Sequence, residues 1–373
     1  MNDNQICTKT DSGYSDNLIP GGKIMNNHGI YIYGIINSVM NKFITNYSSE
    51  EVNKLYGFSY QDISIISANS RILDYSNLPK DILVRQLLKH QRTIEEVMNY
   101  GSTIIPMQLG TQVSSENEVM EILVKGYTLS KEIFKKIENK IEINLAVTWN
   151  DLNSVLKGIG ESEVINELKE KILADFQEIT IENKIKIGTT VKNELDKIRE
   201  IISSEILACL KDFSTDIKTH ALMNDTMIVN FAFLIEKSKL KDYERKVEAL
   251  NAEYSEKLNF RCIGPLPPYS FYTLQIKKLP KKDLDWATKI LGLKNYLISK
   301  EGIKKAYQSS AFACHPDKNP NTPDIEKEFD EVNKAYKILN EYCQSCEQSN
   351  HSGNKFFDIE EVDNSAILVK VID

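Results

Sequence analysis

The hydrophobic pattern changes period several times along the chain, and each change marks an element. Gly29–Ile36 (GIYIYGII) is a continuous apolar and aromatic run, the pattern of a buried strand. Asp62–Ser67 is a second strand candidate. From Pro79 to Tyr100 the spacing turns helical, and Ile82, Leu83, Leu87, Ile94, Val97 and Met98 are predicted to share one face. Pro79 sits near the start, where its missing N–H does no harm. Ser102–Ile105 is strand-like and leads into Pro106–Gly110. A helix over residues 116–138 follows, and Ile141–Trp149 then alternates as a half-buried strand does. Strands interleaved with two helices predict a ferredoxin-like α+β domain over residues 28–150.

Residues 151–219 are dominated by charged, helix-favouring sequence. Val191, Leu195, Ile198, Ile202, Ile206 and Leu207 recur at three- and four-residue steps, so a long amphipathic helix is expected. Its stripe packs on its own domain or forms a coiled coil with a partner. Thr226–Ile235 is an apolar run suited to a central strand, Lys239–Glu253 a helix, and Leu258–Ile263 an alternating strand that enters Gly264–Phe271 (GPLPPYSF). Residues 151–275 thus read as a second, helix-rich α+β domain with a loose likeness to the first.

The pattern then becomes helical. Asp283–Gly292 reads as a short helix closing on glycine, and Ser299 can cap a helix with Ile303, Ala306, Tyr307 and Ala311 on one face. That helix must end before His315 and Pro316, since the residue preceding proline is pushed out of the α region. Thr322 as cap and Pro323 at the first position predict the next helix, with Ile325, Phe329, Val332, Ala335, Tyr336 and Leu339 facing inward. Two amphipathic helices on a short proline-bearing loop make an αα-hairpin over residues 282–346, with His315–Pro320 (HPDKNP) at its tip. The tail, 347–373, is an acidic linker followed by the strand-like Ala366–Ile372. A free apolar strand invites aggregation, so it is expected to add to a sheet edge, in this protein or in a partner.

A length of 373 residues accommodates these domains, and the charge of −7 gives no electrostatic basis for nucleic-acid binding. No apolar run is long enough for a membrane span, and residues 1–27 lack the basic start and apolar core of a secretion signal. They read as a mobile leader, and the expected location is the cytoplasm. Six cysteines are scattered, against a disulfide framework. Cys343 and Cys346 form a CxxC with His351 beyond. Half a zinc site or a redox pair is one reading, and two surface thiols near a helix end the other. With no second ligand pair, no metal or cofactor is predicted. His90 and His220 sit in helical context as surface or core residues. A phosphate loop, a nucleophile elbow and HExxH are all missing, so an enzyme is not expected.

Tyr31-Ile-Tyr33-Gly34, Ile105-Pro106 with Leu109-Gly110, and Gly264–Phe271, in this order and spacing, resemble the GvpL/GvpF family of gas vesicle proteins over residues 28–275. The resemblance implies two α+β domains. It also implies an accessory protein that builds or stabilises gas vesicles, with the shell subunit and other gas vesicle proteins as partners. Gly264, Pro265, Pro267, Pro268, Tyr269 and Phe271 would form a rigid turn pinned to the core. A direct role in binding the shell subunit is the other reading.

The array Ile303-Lys-Lys-Ala-Tyr307, His315–Pro320, Phe329, Asn333-Lys-Ala-Tyr336 and Leu339 is similar to a J-domain. That resemblance implies docking to a DnaK-type chaperone and stimulation of its ATP hydrolysis. By position, His315, Pro316 and Asp317 would form the essential loop, and Lys304 and Lys305 would offer positive charge to an acidic face. Gln308, Ser309 and Ser310 are neutral where J-domains usually carry more basic residues, and Cys314 stands where an aromatic is commoner. The basic face is thin.

The expected fold is therefore α+β: two ferredoxin-like domains with an added long-helix region, then an all-α J-domain helical hairpin. The expected function is gas vesicle assembly, with shell-subunit binding and chaperone recruitment in one chain. A general J-domain co-chaperone with broad client binding is the alternative, and a thiol or zinc protein a third reading.

Overall fold

Two antiparallel sheets repeat one strand order. The computed structural model of the protein describes residues 28–40, 55–175, 180–254, 256–293, 297–320, 322–349, 357–360 and 362–372. The expected leader and His351 lie outside the described residues. The first sheet contains β1 (His28–Ile36), β2 (Leu55–Tyr60), β3 (Ile63–Arg71), β4 (Ile104–Pro106) and β5 (Gln112–Val113). Its order is β2-β3-β1-β4, with β5 also paired to β1. Eight of the nine β1 residues are buried, because helices cover both faces. Tyr31, Tyr33 and Ile36 pack with Ile94 and Val97 of α1 (Lys80–Asn99). Ile30, Ile32 and Ile35 pack with Val119, Ile122 and Phe134 of α2 (Glu116–Ile137). This two-sided burial is why β1 reads as an unbroken apolar run.

The second sheet holds β6 (Lys140–Trp149), β7 (Ser214–Thr219), β8 (Met227–Glu236) and β9 (Leu258–Leu266) in the order β7-β8-β6-β9. Counted within its own unit, each sheet runs second, third, first, fourth strand, the order of a ferredoxin-like fold. Between β6 and β7 come α3 (Leu152–Gly160), α4 (Glu163–Asp175) and α5 (Ile181–Leu210), and α6 (Leu240–Glu253) joins β8 to β9. Leu195, Ile206 and Leu210 of α5 share a core with Val147, Phe233 and Tyr243. That stripe packs on its own domain, while Ile181 and Ile185 near the start of α5 are exposed.

The chain continues through α7 (Tyr269–Tyr272), β10 (Leu274–Pro280), α8 (Lys281–Ile290), β11 (Leu297–Ile298), α9 (Lys300–Ala313), α10 (Ile325–Ser349), β12 (Phe357–Asp358) and β13 (Ser365–Val371). Ser299 caps α9, its Oγ accepting from the Gly302 N–H at 3.1 Å. Of the two destinations open to the tail strand, the structure selects the internal one. β13 pairs antiparallel with β10 from Leu274↔Val371 to Pro280↔Ser365. β12 pairs with β11.

Several local expectations change. In α1 the buried residues are His90, Thr93, Ile94 and Val97, whereas Val84, Leu87 and Leu88 are exposed, because only the second half of the helix lies over Tyr31 and Tyr33. Pro79, expected near the start of α1, is its N-cap residue. β2 and the polar β7 were not expected, because edge strands carry little apolar pattern. His220 follows β7 and is not helical. Asp324 takes a positive φ of 61°, outside the helical region, so α10 begins at Ile325 and Thr322 does not cap it. Cys343 is fully buried within α10, not a surface thiol.

Tyr243 is enclosed by Phe213 and Phe233, and its hydroxyl meets no hydrogen-bond partner among the described residues. A desolvated, unpaired hydroxyl costs about 1–3 kcal/mol. Tyr243→Phe is therefore expected to hold or raise the thermal midpoint. A drop of several degrees in a melting experiment would show that the hydroxyl is bonded.

Candidate functional site

The motif His315–Pro320 stands at the tip of the α9–α10 hairpin. α9 stops at Ala313, and Pro316–Lys318 form a single tight turn. His315 Nδ1 accepts from the Asp317 N–H at 3.2 Å, and the ring stands edge-on to Phe329 of α10 at 5.3 Å. Asn319 Nδ2 donates to the carbonyls of Ala313 and His315 at 2.9 and 3.1 Å, which closes the loop. With the loop so held, the Asp317 side chain is 90% exposed. Tyr307 stacks on Tyr336 at 4.2 Å and donates to Asn333 Oδ1 at 2.8 Å, fixing the crossing of the two helices.

Lys304, Lys305, Gln308 and Phe312 are exposed, and helical geometry sets them on one strip of α9 that runs into the tip. Phe312, 68% exposed, has the Lys318 ammonium over its ring. It is the feature of this strip that residue pattern alone did not single out. Cys314 turns inward into the hairpin core.

The first two signature pieces of the α+β body meet in one buried network, against which Tyr269 of the third packs. Gly34 pairs with Pro106, the Met107 N–H donates to the Tyr33 carbonyl at 2.9 Å, and the Gln108 N–H donates to the Leu274 carbonyl at 2.8 Å. At the centre, His90 Nε2 donates to the Met107 carbonyl at 2.9 Å. That carbonyl can only accept, so the neutral ring keeps its proton on Nε2. Nδ1 then accepts from the Tyr31 hydroxyl at 2.9 Å, and the Tyr31 oxygen accepts from the Gly110 N–H at 3.2 Å. Gly110 has φ +85°, and a Cβ there would meet the Tyr75 ring at 2.8 Å, so glycine is required. Burial draws His90 down to about 4, opposed in part by the Met107 carbonyl. Burial likewise pushes Tyr31 well above the usual phenol range. The network is neutral and holds shape.

The turn at 264–271 touches both α+β units. Gly264 has φ +149°, and a Cβ would lie 2.6 Å from Ile143 Cδ1. Gly264 and Pro265 are exposed, while Pro267 and Pro268 are buried. Tyr269 packs on the cluster of Tyr31 and Tyr33, its hydroxyl 3.4 Å from the Gln91 carbonyl. Phe271 packs on Ala232 and Leu234 of the second sheet. The buried Glu142 beneath this turn accepts from the Ser270 N–H at 2.8 Å and the Ser270 hydroxyl at 2.7 Å. Burial raises its pKa, with the Ser270 bonds opposing. His220 Nε2 lies 3.0 Å from the same hydroxyl. Ser270 gives its proton to Glu142, so His220 must donate to it and cannot act as its base. Glu142 escapes sequence reading because strand alternation puts it on an apparent solvent face with Asn144 and Thr148.

Cys343 and Cys346 lie in surroundings that disfavour the thiolate. Burial pushes the Cys343 thiol up to about 12 and raises Cys346, the reverse of what a thiolate ligand or nucleophile needs. Among the described residues no cluster of three metal-ligating side chains occurs, and no helix is long and apolar enough to cross a membrane.

The pattern of the family described as gas vesicle synthesis protein GvpL/GvpF matches residues 29–273, and that of the DnaJ domain matches residues 289–344. Gas vesicle protein F of Nostoc sp. is 25% identical over 254 residues, covering 65% of this chain and 97% of that protein. The crystal structure of GvpF from Anabaena sp. PCC7120 superposes with a TM-score of 0.56 at 22% identity, over 66% of this chain and 98% of that one. Chaperone protein DnaJ of Salinibacter ruber is 42% identical over 66 residues, which is 17% of each chain.

The buried imidazole makes stability depend on pH. Unfolded, His90 takes a proton below about 6.5, and folded, not until about 4. Between these values the unfolded state binds more protons. Stability therefore falls as pH drops through the window, by roughly 3 kcal/mol in all. Urea unfolding at pH 7 and pH 4.5 should show a loss in the parent that is smaller in His90→Gln. Parallel losses in both proteins would mean that His90 is not held neutral.

Proposed function

Because the chain belongs to the GvpL/GvpF family of gas vesicle proteins and carries a DnaJ domain, we propose that it is a gas vesicle assembly factor that binds shell subunits and recruits a DnaK-type chaperone. The observation that carries this reading is the pairing, in one chain, of the family body with a tight tip at His315–Asp317 that turns Asp317 to solvent. A shell subunit with large apolar surfaces is prone to wrong contacts before assembly. A chaperone cycle at the site of assembly limits them. The protein itself acts through recognition, in the cytoplasm at the growing vesicle.

Within this proposal His315, Pro316 and Asp317 contact the chaperone, and Lys304 and Lys305 supply charge that speeds encounter and sets register. Gln308 and Ser309 extend the same strip without charge, so salt is expected to weaken docking only modestly. The turn from Gly264 to Phe271, including Pro265, Pro267, Pro268 and Tyr269, serves as the joint between the α+β units.

Full-length protein should capture purified shell subunit in preference to an unrelated unfolded protein. Equal capture of both would favour the general co-chaperone. His315→Gln should abolish stimulation of the chaperone's ATPase with the circular dichroism spectrum unchanged. Stimulation equal to the parent's would sink the role of the tip. Lys304→Glu with Lys305→Glu is expected to slow association by about tenfold at low salt, with little change at high salt. Surface plasmon resonance across a salt series reads this directly.

A further inference from the structure

β13 lies between the α+β body and the hairpin and belongs to both. Ile367 and Val369 are part of the core that contains Val119, Ile122 and Leu123 of α2. The alternate residues Ala366 and Leu368 are part of the core that contains Leu284, Val332 and Leu339 of the hairpin. Successive strand side chains point to opposite faces, so one short strand fills both cores at once. The contact with α2 is close, since a Cβ on Gly126 would come within 3.2 Å of Val369. Earlier in the tail, Ile359 and Val362 also enter the hairpin core.

Charge reinforces the arrangement. Glu341 of α10 accepts from Lys277 of β10 and, at 2.9 Å, from Lys370 of β13. Its carboxylate is only 17% exposed, so these are not freely screened surface pairs. Lys278 of β10 reaches both carboxylate oxygens of Glu118 on α2 at 2.8 Å. α10 packs directly on α2 as well as on β13. Domains joined only by a linker move relative to one another unless a large apolar interface holds them. Here the strand supplies that interface.

We propose that β13, with Glu341, is a positioning element that locks the hairpin onto the α+β body. A chaperone drawn to His315–Asp317 then acts at one fixed place relative to the surface that holds the shell subunit. The delivery half of this inference rests on the function proposed above, whereas the lock itself does not.

The test uses full-length protein with spin labels in place of Arg85 on α1 and Lys327 on α10, both exposed positions. The parent should give a single narrow distance distribution. Ile367→Ser with Val369→Ser removes only the α2-facing side chains of the strand, and should broaden that distribution. Glu341→Gln leaves both cores intact and should broaden it to a lesser degree. It keeps the question decidable if the double variant does not fold by circular dichroism. Both folded variants should stimulate the chaperone's ATPase to the parent's level, yet lose yield of assembled vesicles in cells. A broad parent distribution, or folded variants as narrow as the parent, would overturn the lock. Broadened variants that build vesicles at the parent's yield would overturn the delivery role. A parent that does not stimulate the ATPase would overturn the recruiting function and delivery with it, while a narrow distribution would still establish the lock.

Discussion

The pairing of β13 with β10 is the constraint on which the arrangement of the whole molecule depends. Ile367, Leu368 and Val369 are each nearly fully buried, two toward α2 and one toward the hairpin. Side chains of this size contribute about 1.5–3 kcal/mol each when fully buried. Their sum is comparable with the net stability of an ordinary domain, about 5–15 kcal/mol. The tail is thus as structural as any central strand. Leu274 of β10 sits in the same core as Ile367, so a cut after residue 275 would strip the α+β body of part of its interior.

The two characteristic parts of the chain have opposite physical character. In the body, Tyr31 of the family signature and the buried His90 are desolvated, hydrogen-bonded to each other and held neutral, and Gly110, at positive φ, gives its N–H to the Tyr31 oxygen. At the hairpin tip Asp317 and Lys318 are exposed, while His315 and Asn319 are half-buried. Asp317 faces solvent, and the loop that carries it is tied by its own backbone and by Phe329. A rigid body that bears an exposed charged tip is suited to recognition. Both halves of the proposed function are recognition events.

Much of this was legible in the residue pattern, for a physical reason. Elements buried on one face or on both leave a period in the sequence. α2, β6, β8, α6 and the long stripe of α5 follow from that period alone, as does the capped start of α9 at Ser299. The hairpin tip was also legible, because Ser299, the proline at 316 and the inward faces of α9 and α10 are local signals. Elements without a period were not. β7 is an edge strand of polar residues, and the buried half of α1 is marked by His90 and Thr93 as much as by aliphatic residues.

The sequence by itself determined the α+β class, the two-unit division of the body, the helical hairpin and the exposed motif at its tip. Each depends on side-chain chemistry and spacing within a few tens of residues. Only the tertiary structure decided what Glu142 faces, that His90 bonds Tyr31 and the Met107 carbonyl, and where the C-terminal strand goes. A strand with apolar residues on both faces states that it is buried on both sides but not by what. Here α2 lies on one side and the hairpin on the other, contacts separated by up to 250 residues of chain. Such long-range choices are made by packing and charge pairing in the folded chain, and leave no local trace in the sequence.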